Sequence, residues 1–337
     1  MATSGTATAP RMPLWIEPIG WVGKSVIAIL AYLGGVAALL MTAAVSLVTF
    51  SRDDDHPGFW TVLKIELWWL LAAGVPLVAL VHVAMGSFLS MQAYFGSTFV
   101  DGTGAVVGVG LLRNLASLMT GMTLCGLVAC RLVPGHLGQA RATGSGAGPE
   151  YGSAERSGLS AGSHPAGETD EHASRPGDPY RALGNSGRLV APRLVAAALA
   201  SVLLSLWGFV VGNAVGWQVS GSLMGLPSHV YFQMFYRMIW FRDVVGMIVK
   251  GICFGVFTSA ICCFEGLRVT RRAAAAASDA AEIRPGDGGS SDLSGPVVRA
   301  VCLSMAAILL LNMTWFLLVY HAVPVYGPSL LQPPPIP

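Results

Sequence analysis

Charge is scarce in this sequence. Only 11% of the 337 residues are Asp, Glu, Lys or Arg, whereas 53% are apolar, and the mean hydropathy is +0.61. Soluble domains carry roughly a quarter charged residues, so this chain cannot cover a water-exposed surface. The composition therefore indicates a protein embedded in a bilayer. The net charge of +2 and the lack of a basic stripe interleaved with aromatic residues give no indication of nucleic-acid binding.

Motifs for bond chemistry are also missing. The sequence has no GxxxxGK(S/T) phosphate-binding loop, which predicts no ATP hydrolysis by this chain. It has no HExxH motif and no spaced set of Cys and His that would hold a metal. The six cysteines lie inside apolar runs without a CxxC pair, which is typical of small apolar fillers. We therefore predict no catalytic residue, no metal site and no cofactor in this chain.

Long apolar runs are what the sequence has in abundance. A spanning helix needs roughly 20 mostly apolar residues. Six stretches meet or approach this length, at 25–50, 60–89, 105–133, 189–217, 244–264 and 297–321. Three of them carry glycines four residues apart, which favours close approach of helix backbones: Gly104 and Gly108; Gly208, Gly212 and Gly216; Gly251 and Gly255. The first run begins only after Lys24 and has no cleavage site, so a signal peptide is not predicted.

Polar segments divide the chain. The stretch 134–188 is rich in Gly, Ser, Ala and charged residues, so it buries too little apolar area to offset its ordering entropy and is predicted to be a largely disordered linker. The predicted organisation is a disordered segment 1–14, an interfacial helix with two spans over 15–133, the linker 134–188, three spans over 189–321 with a second linker at 268–294, and a Pro-rich tail 322–337.

Orientation follows from the positions of Lys and Arg. They cluster in the amino-terminal region and in both linkers, whereas the connection 90–104 and the tail after His321 have none. By the positive-inside rule the amino terminus and the linkers are cytoplasmic and the tail is periplasmic. This requires an odd number of crossings. We therefore predict an all-α polytopic membrane protein with five transmembrane helices and a first run that lies in the interface or re-enters, with Trp15 and Trp21 at the headgroups. A spanning first run is the alternative.

Four stretches and one arginine carry a resemblance to a known family. They are Gly86–Tyr94 (GSFLSMQAY), Gly110–Leu115 (GLLRNL), Val190–Ala196 (VAPRLVA), Asp243–Gly255 (DVVGMIVKGICFG) with Cys263–Gly266 (CFEG), and Arg299 ahead of the last run. In this order and spacing the chain resembles the MlaE/YrbE permeases, the membrane subunits of MCE-associated lipid ABC transporters. The resemblance extends from Trp15 to Tyr320, apart from the long linker, and its family fold is one interfacial helix with five spans.

The resemblance implies a function and partners. It implies a permease subunit in a bacterial inner membrane that moves a phospholipid or another hydrophobic molecule. It also implies a second permease copy, a separate cytoplasmic P-loop ATPase that binds the ATP, and an MCE-domain protein. Two alternatives stay open: a non-catalytic permease-like half of a heterodimer, and an integral-membrane enzyme acting on lipids. The enzyme would need a cluster of His and acidic residues at one membrane face, which the sequence does not offer.

The region that would contact the ATPase departs from the family. In place of an acidic coupling helix, the chain has Pro134–Gly138 (PGHLG) and Arg141, followed by the long linker. The stretch most similar to that helix is Asp178–Leu183 (DPYRAL). Four residues are candidates for coupling to the ATPase, by the resemblance: His136, Arg141, Asp178 and Arg193. The altered stretch leaves open whether an ATPase binds.

Charged residues inside the apolar runs are the candidates for substrate binding, because each is costly in a bilayer unless it is paired or hydrated. Arg113 and Lys250 predict a polar cavity that holds a lipid phosphate. The alternative is that both snorkel to the interface or pair with Asp101 or Asp243. The full candidate set is Arg113, Asn114, Lys250, Asn312, Gln92 and Tyr94. Asn114 and Asn312 stand where the family has acids, and hydrogen bonding between helices is their alternative role.

Overall fold

The computed structural model describes residues 16–50, 58–96, 103–144, 179–280 and 294–322. Every regular element in these ranges is a helix. The helices are α1 (Ile16–Phe50), α2 (Gly58–Gly96), α3 (Thr103–Gly110), α4 (Ala116–Gly144), α5 (Pro179–Met224), α6 (Ser228–Met238), α7 (Phe241–Ala280) and α8 (Ser294–Phe316), with π-helical turns at Leu111–Leu115 and Leu317–Ala322. The predicted all-α fold is confirmed.

Six of these helices are long and apolar enough to cross a membrane, which makes the chain a multi-pass membrane protein. They extend beyond the predicted runs. Helix α4 continues to Gly144 and α5 begins at Pro179, so both ends of the predicted linker 134–188 are helical. Helix α7 likewise continues to Ala280. The predictions of disorder at 1–14 and at 145–178 lie outside the described residues, as does the tail after Ala322.

The bundle has two distinct ends. At one end α2, α5 and α8 begin and α4 and α7 finish, next to the polar linkers; we call it the linker end. At the opposite end lie α3, α6 and the first turn of α7. Helix α2 packs along α5, and α7 packs against α4, α5 and α8. The largest buried apolar cluster includes Leu132 and Val133 of α4 with Val190, Ala191 and Leu194 of α5, so it extends to the linker end.

Glycines set the closeness of the helices, as their spacing predicts. Gly86 of α2 lies directly against the backbone carbonyl of Gly212 on α5, so a side chain at residue 86 would have no room. Gly255 of α7 lies in the same way against the backbone of Ala197 on α5. Such backbone-to-backbone contact replaces the hydrophobic driving force that is weak between helices in lipid.

Helix α1 is an apolar helix of 35 residues that packs on α5 and α7. Its middle lies at the linker end: the Tyr32 ring packs edge-on against Phe264 of α7 at 5.1 Å between centroids, and Gly35 faces the same ring. A helix that crossed the bilayer would place its midpoint near the midplane instead. The packing therefore favours the predicted interfacial position, although α1 is also long and apolar enough to span.

A short amphipathic helix, α6, occupies the opposite end. It buries Tyr231 and Phe235 and docks on α3, where Gly104 lies against the backbone of Tyr231 and Gly108 against the Phe235 ring. The Tyr231 hydroxyl donates a hydrogen bond to Asn213 Oδ1 of α5 at 2.8 Å. Burial raises the pKa of the Tyr231 phenol above its ordinary value, so the hydroxyl stays protonated and can donate.

The glycine contacts can be tested with two alanine substitutions. Gly86→Ala places a Cβ against the Gly212 carbonyl, and the two helices must separate, which costs about 1–3 kcal/mol as an overpacked contact. Gly126→Ala on α4 meets no neighbouring atom within 4 Å and gains helix propensity. We expect the melting temperature in detergent to fall for Gly86→Ala and to stay equal or rise for Gly126→Ala. Equal melting temperatures for the two variants would contradict the close contact.

Candidate functional site

Three carboxylates are buried among the described residues: Glu66, Asp243 and Glu265, with at most 8% of each residue exposed. Each of them lies beside two cationic side chains. A buried carboxylate needs a cation because the bilayer offers no water to solvate it. We name the clusters by their acids: the Asp243 cluster at the opposite end, and the Glu66 and Glu265 clusters at the linker end.

The Asp243 cluster brings together Arg113 and Lys250, the two cations predicted to bind substrate. Arg113 Nε lies 3.0 Å from Asp243 Oδ1, and the Asp243 side chain is fully buried. The Lys250 ammonium donates a hydrogen bond to the backbone carbonyl of Arg113, and only 3% of Lys250 is exposed. The backbone N–H of Trp240 donates to Asp243 Oδ2 at 3.3 Å. The pairing with Asp243, which the sequence offered as the alternative to phosphate binding, is therefore present.

The Arg113 carbonyl can accept the Lys250 proton because the backbone is irregular there. Residues Leu111–Leu115 form a single π-helical turn between α3 and α4, closed by the N–H of Ala116 bonding to the carbonyl of Leu111. Such a turn shifts the ladder of backbone hydrogen bonds by one residue, and these turns are common at functional sites. The sequence carries no signal for this turn, so the Lys250 contact was not predicted.

Asn312 lies at the same level as Lys250. Helices α7 and α8 run antiparallel, with Gly246 facing the Trp315 ring near one end and Cys262 Sγ 3.9 Å from Ser304 Oγ further along. Between these contacts, Lys250 comes opposite Asn312. The side-chain oxygen of Asn312 is buried and has no hydrogen-bond partner within the described part of the chain. Asn312 therefore supplies a buried acceptor on α8 at about the level of Lys250.

The other predicted substrate residues are placed differently. Asn114 is half-buried in the π-helical turn, and its carbonyl accepts a hydrogen bond from Ser117 Oγ at 3.4 Å. Gln92 and Tyr94 are exposed on the last turns of α2, where the Tyr94 ring contacts Phe95. The structure thus gathers Arg113, Lys250 and Asn312 at one level and leaves Gln92 and Tyr94 on the outer surface of the chain.

The Glu66 cluster joins three helices at the linker end. Arg131 Nε of α4 lies 3.2 Å from Glu66 Oε2, and Arg193 Nε of α5 lies 3.6 Å from Glu66 Oε1. A small cleft with room for about one water molecule opens beside these side chains. Arg131 was not among the predicted site residues. The sequence did carry a signal for it. Arg131 lies near the end of the apolar run 105–133, and Arg193 lies near the start of the run 189–217, at the same end of the bundle.

The Glu265 cluster joins α7, α8 and α1. Arg299 Nε of α8 lies 3.0 Å from Glu265 Oε2, and Arg268 lies one turn along α7 at 3.4 Å from Oε1. The Arg268 guanidinium also lies 5.7 Å above the rings of Tyr32 and Phe264. The cluster therefore supports the contact between α1 and the bundle, and it explains Arg299, which the family resemblance singled out.

Of the residues predicted to couple to an ATPase, Arg193 is the one whose side chain the structure describes. His136 and Arg141 belong to the extension of α4 that ends at Gly144, and Asp178 lies outside the described residues. Arg193 is 7% exposed and engaged with Glu66. Because the Arg193 side chain faces inward, it would not touch an ATPase directly. It would affect coupling by fixing the positions of α2, α4 and α5 at the linker end.

Comparison with known proteins places these clusters in a family context. Residues 182–318, which include Asp243, Lys250 and the Glu265 cluster, match the profile of the family described as Permease MlaE. A probable ABC transporter permease protein of Rickettsia typhi is 24% identical over 227 residues, which is 66% of this chain and 76% of that protein. A counterpart in Rickettsia prowazekii is 23% identical over 66% of this chain and 75% of its own length. The chloroplastic protein TRIGALACTOSYLDIACYLGLYCEROL 1 of Arabidopsis thaliana is 30% identical over 82 residues, 24% of this chain and 23% of that protein.

The importance of the Asp243 carboxylate for the stability of the cluster can be tested. Asp243→Asn removes a fully buried carboxylate and leaves two cations facing each other, whereas Arg113→Met removes a side chain that is 35% exposed. Breaking a buried pair in this way costs on the order of 3–5 kcal/mol. We therefore expect Asp243→Asn to lower the melting temperature in detergent more than Arg113→Met does. An Asp243→Asn variant as stable as the wild type would show that the carboxylate does not balance the cluster.

Proposed function

We propose that this chain is the membrane subunit of an ABC transporter that moves phospholipids or similarly built hydrophobic molecules, since residues 182–318 match the Permease MlaE profile. The assignment as an ABC permease subunit rests on the family profile and on the Rickettsia relatives. The lipid cargo is the further step. The Arabidopsis relative is named after a diacylglycerol glycolipid, which agrees with such a cargo.

The observation that carries the lipid proposal is the Asp243 cluster. Arg113 pairs with Asp243, and Lys250 lies near the same carboxylate, so two cationic side chains meet where charge is costly. Lys250 is nine residues into α7, about 13 Å from the start of that helix. A phosphate diester carries a negative charge, and a guanidinium offers paired N–H donors suited to phosphate oxygens.

The residues of the cluster would divide the work of holding a lipid. Arg113 has 35% of its side chain exposed, so its guanidinium is the group within reach of a headgroup. The buried Lys250 fixes the π-helical turn that carries Arg113. Asn312 would accept a hydrogen bond from a hydroxyl or amine of the headgroup through its free side-chain oxygen. The exposed large side chains of α2 and α8 offer apolar contact for acyl chains.

The energy for transport would come from partners. An ABC permease works with an ATPase subunit and as a dimer, so a second permease copy and a nucleotide-binding subunit complete the transporter. In this proposal the linker end faces the cytoplasm of a bacterial inner membrane, where the ATPase docks. The opposite end faces an MCE-domain protein that receives or delivers the lipid, and ATP-driven closure of the dimer exposes the cluster to one side at a time.

A second candidate function is a permease-like half that makes no productive contact with an ATPase. Two observations favour it. Arg193 is buried against Glu66 and is not free to meet a partner. The chain between α4 and α5 also carries the long polar segment 145–178 in place of a short acidic helix.

The lipid proposal can be tested by removing the positive charges of the Asp243 cluster. The variant combines Arg113→Met and Lys250→Met with Asp243→Asn, so that no unpaired carboxylate is buried. We expect the purified variant to lose its co-purified phospholipid, measured as lipid phosphorus per mole of protein. Arg237→Met is the matched control, because Arg237 is an exposed cation on α6 at the same end of the bundle. Lipid content unchanged from the wild type, in a triple variant that elutes as folded protein, would rule out the cluster as the phosphate site.

A further inference from the structure

We propose that Asn312 and Trp315 of α8 recognise a hydroxyl group on the headgroup of the bound lipid. This inference rests on the proposed lipid transport function, and it names the class of headgroup that would be taken at the opposite end of the bundle. A polyol headgroup, such as glycerol, is favoured over a headgroup that carries an amine and over one that has no polar group beyond the phosphate.

The polar atoms of these two side chains lack partners. Asn312 Oδ1 and Trp315 Nε1 are both buried, and neither makes a hydrogen bond to another of the described residues. The amide oxygen can only accept a hydrogen bond, and the indole N–H can only donate one. Because most buried polar atoms have a partner, an unpaired acceptor and an unpaired donor on one helix indicate that a group from outside the chain completes the pair.

The two side chains lie close together against α7. Residues three apart on a helix are neighbours on its surface. A Cβ built on Gly246 of α7 would lie 3.6 Å from Trp315 Nε1, so the indole nitrogen faces a residue that has no side chain. Gly246 lies about one turn from both Asp243 and Lys250 along α7. Asn312 and Trp315 are therefore at about the level of the Asp243 cluster.

A hydroxyl is the group that suits both atoms at once. It can donate a hydrogen bond to Asn312 Oδ1 and accept one from Trp315 Nε1. An ammonium offers donors alone and leaves the indole unpaired, whereas a phosphate oxygen offers acceptors alone and leaves Asn312 unpaired. The buried Lys250 ammonium at about the same level also disfavours a second cation, because like charges repel strongly where the dielectric constant is low.

The depth of Trp315 in the membrane suits contact with a headgroup. Trp315 precedes the end of the apolar span Ser294–Val319 by four residues, which places it about 6 Å inside that end. A tryptophan that only anchors a helix at this depth keeps its N–H in the headgroup region, whereas the nitrogen of Trp315 is covered and faces α7. Helix α8 is the least covered of the six long apolar helices, so a lipid can approach its contact with α7 from the bilayer.

The experiment compares lipids of equal charge that differ only in the hydroxyls of the headgroup. Phosphatidylglycerol and phosphatidylpropanol with the same acyl chains are titrated into the full chain in a neutral detergent, and bound lipid is counted by native mass spectrometry. Phosphatidylethanolamine supplies the amine headgroup. In a separate arm, a phosphatidylglycerol with a photoactivatable headgroup locates the bound lipid on the wild type by peptide mapping.

The variants each remove one of the two polar atoms. Trp315→Phe keeps an aromatic ring and removes the N–H, and Asn312→Leu replaces the amide by an apolar side chain of similar size. Thr314→Val is the matched control on the same helix, because the Thr314 side chain is exposed and its hydroxyl bonds to the Leu310 carbonyl of its own helix.

We expect the wild type to bind phosphatidylglycerol about tenfold more tightly than phosphatidylpropanol, since the hydroxyl supplies two neutral hydrogen bonds to buried atoms. Removing one of the two bonds should reduce this preference about threefold in Trp315→Phe and in Asn312→Leu. Thr314→Val should keep the full preference. Phosphatidylethanolamine should bind the wild type more weakly than phosphatidylglycerol, and the photoactivatable lipid should label the segments 243–250 and 308–319.

Three binding results would overturn the proposal. Equal affinity of the wild type for phosphatidylglycerol and phosphatidylpropanol would show that the chain does not recognise the hydroxyls. A preference that persists undiminished in both variants would place the hydroxyl contact elsewhere. Phosphatidylethanolamine bound as tightly as phosphatidylglycerol would show that an amine serves equally well.

The remaining outcomes separate this inference from the transport proposal. Binding of all three lipids without discrimination would overturn the headgroup preference alone, whereas a wild type that binds none of them would overturn the lipid proposal as well. Labelling of the wild type outside 243–250 and 308–319 would also contradict the inference, and this result decides the question even if both variants fail to fold.

Discussion

A carboxylate buried in a membrane bundle must be balanced by a cation, because the hydrocarbon around it cannot solvate the charge. The three buried carboxylates of the described helices obey this constraint, and each one joins elements that are distant in sequence. Glu66 connects α2, α4 and α5, Asp243 connects α7 with the turn before α4, and Glu265 connects α7 with α8. The helix order and the glycine contacts bring these residues within reach of one another, and the ion pairs then hold the helices in register.

The cationic side chains beside these carboxylates link the architecture to the proposed function. Arg113, Arg131 and Arg268 each keep about a third of the side chain exposed, so their guanidinium groups are the part of each cluster that an anion outside the bundle can reach. The Asp243 cluster lies at one end of the bundle, and the Glu66 and Glu265 clusters lie at the other. In a transporter for phospholipids, the Asp243 cluster would recognise the headgroup of the cargo.

Much of the fold could be predicted from the sequence, because apolar length and glycine spacing are local signals. The apolar runs, the pairs Gly251 and Gly255 and the pair Gly104 and Gly108 each have a direct counterpart in the structure. The site was harder. Arg113 and Lys250 were recognised because a charge inside an apolar run is conspicuous. Their contact depends on the π-helical turn at Leu111–Leu115, which the sequence does not predict. Arg131 could not be recognised as a site residue because its partner, Glu66, lies 65 residues earlier in the chain. Helix α6 was not predicted, because its eleven residues mix polar and aromatic side chains as a loop does. Its helical form depends on α3, which covers Tyr231 and Phe235.

We propose that this chain is the permease of a working ABC transporter for lipids. The most direct measurement is to purify the chain from its native membrane in a mild detergent and to identify the proteins that co-purify by mass spectrometry. We expect a P-loop ATPase and an MCE-domain protein to be recovered in stable proportion to the chain. Recovery of a second permease without an ATPase would contradict that claim and favour the non-catalytic half. Recovery of neither partner with an intact chain would show that the family fold is present without the family's transport function.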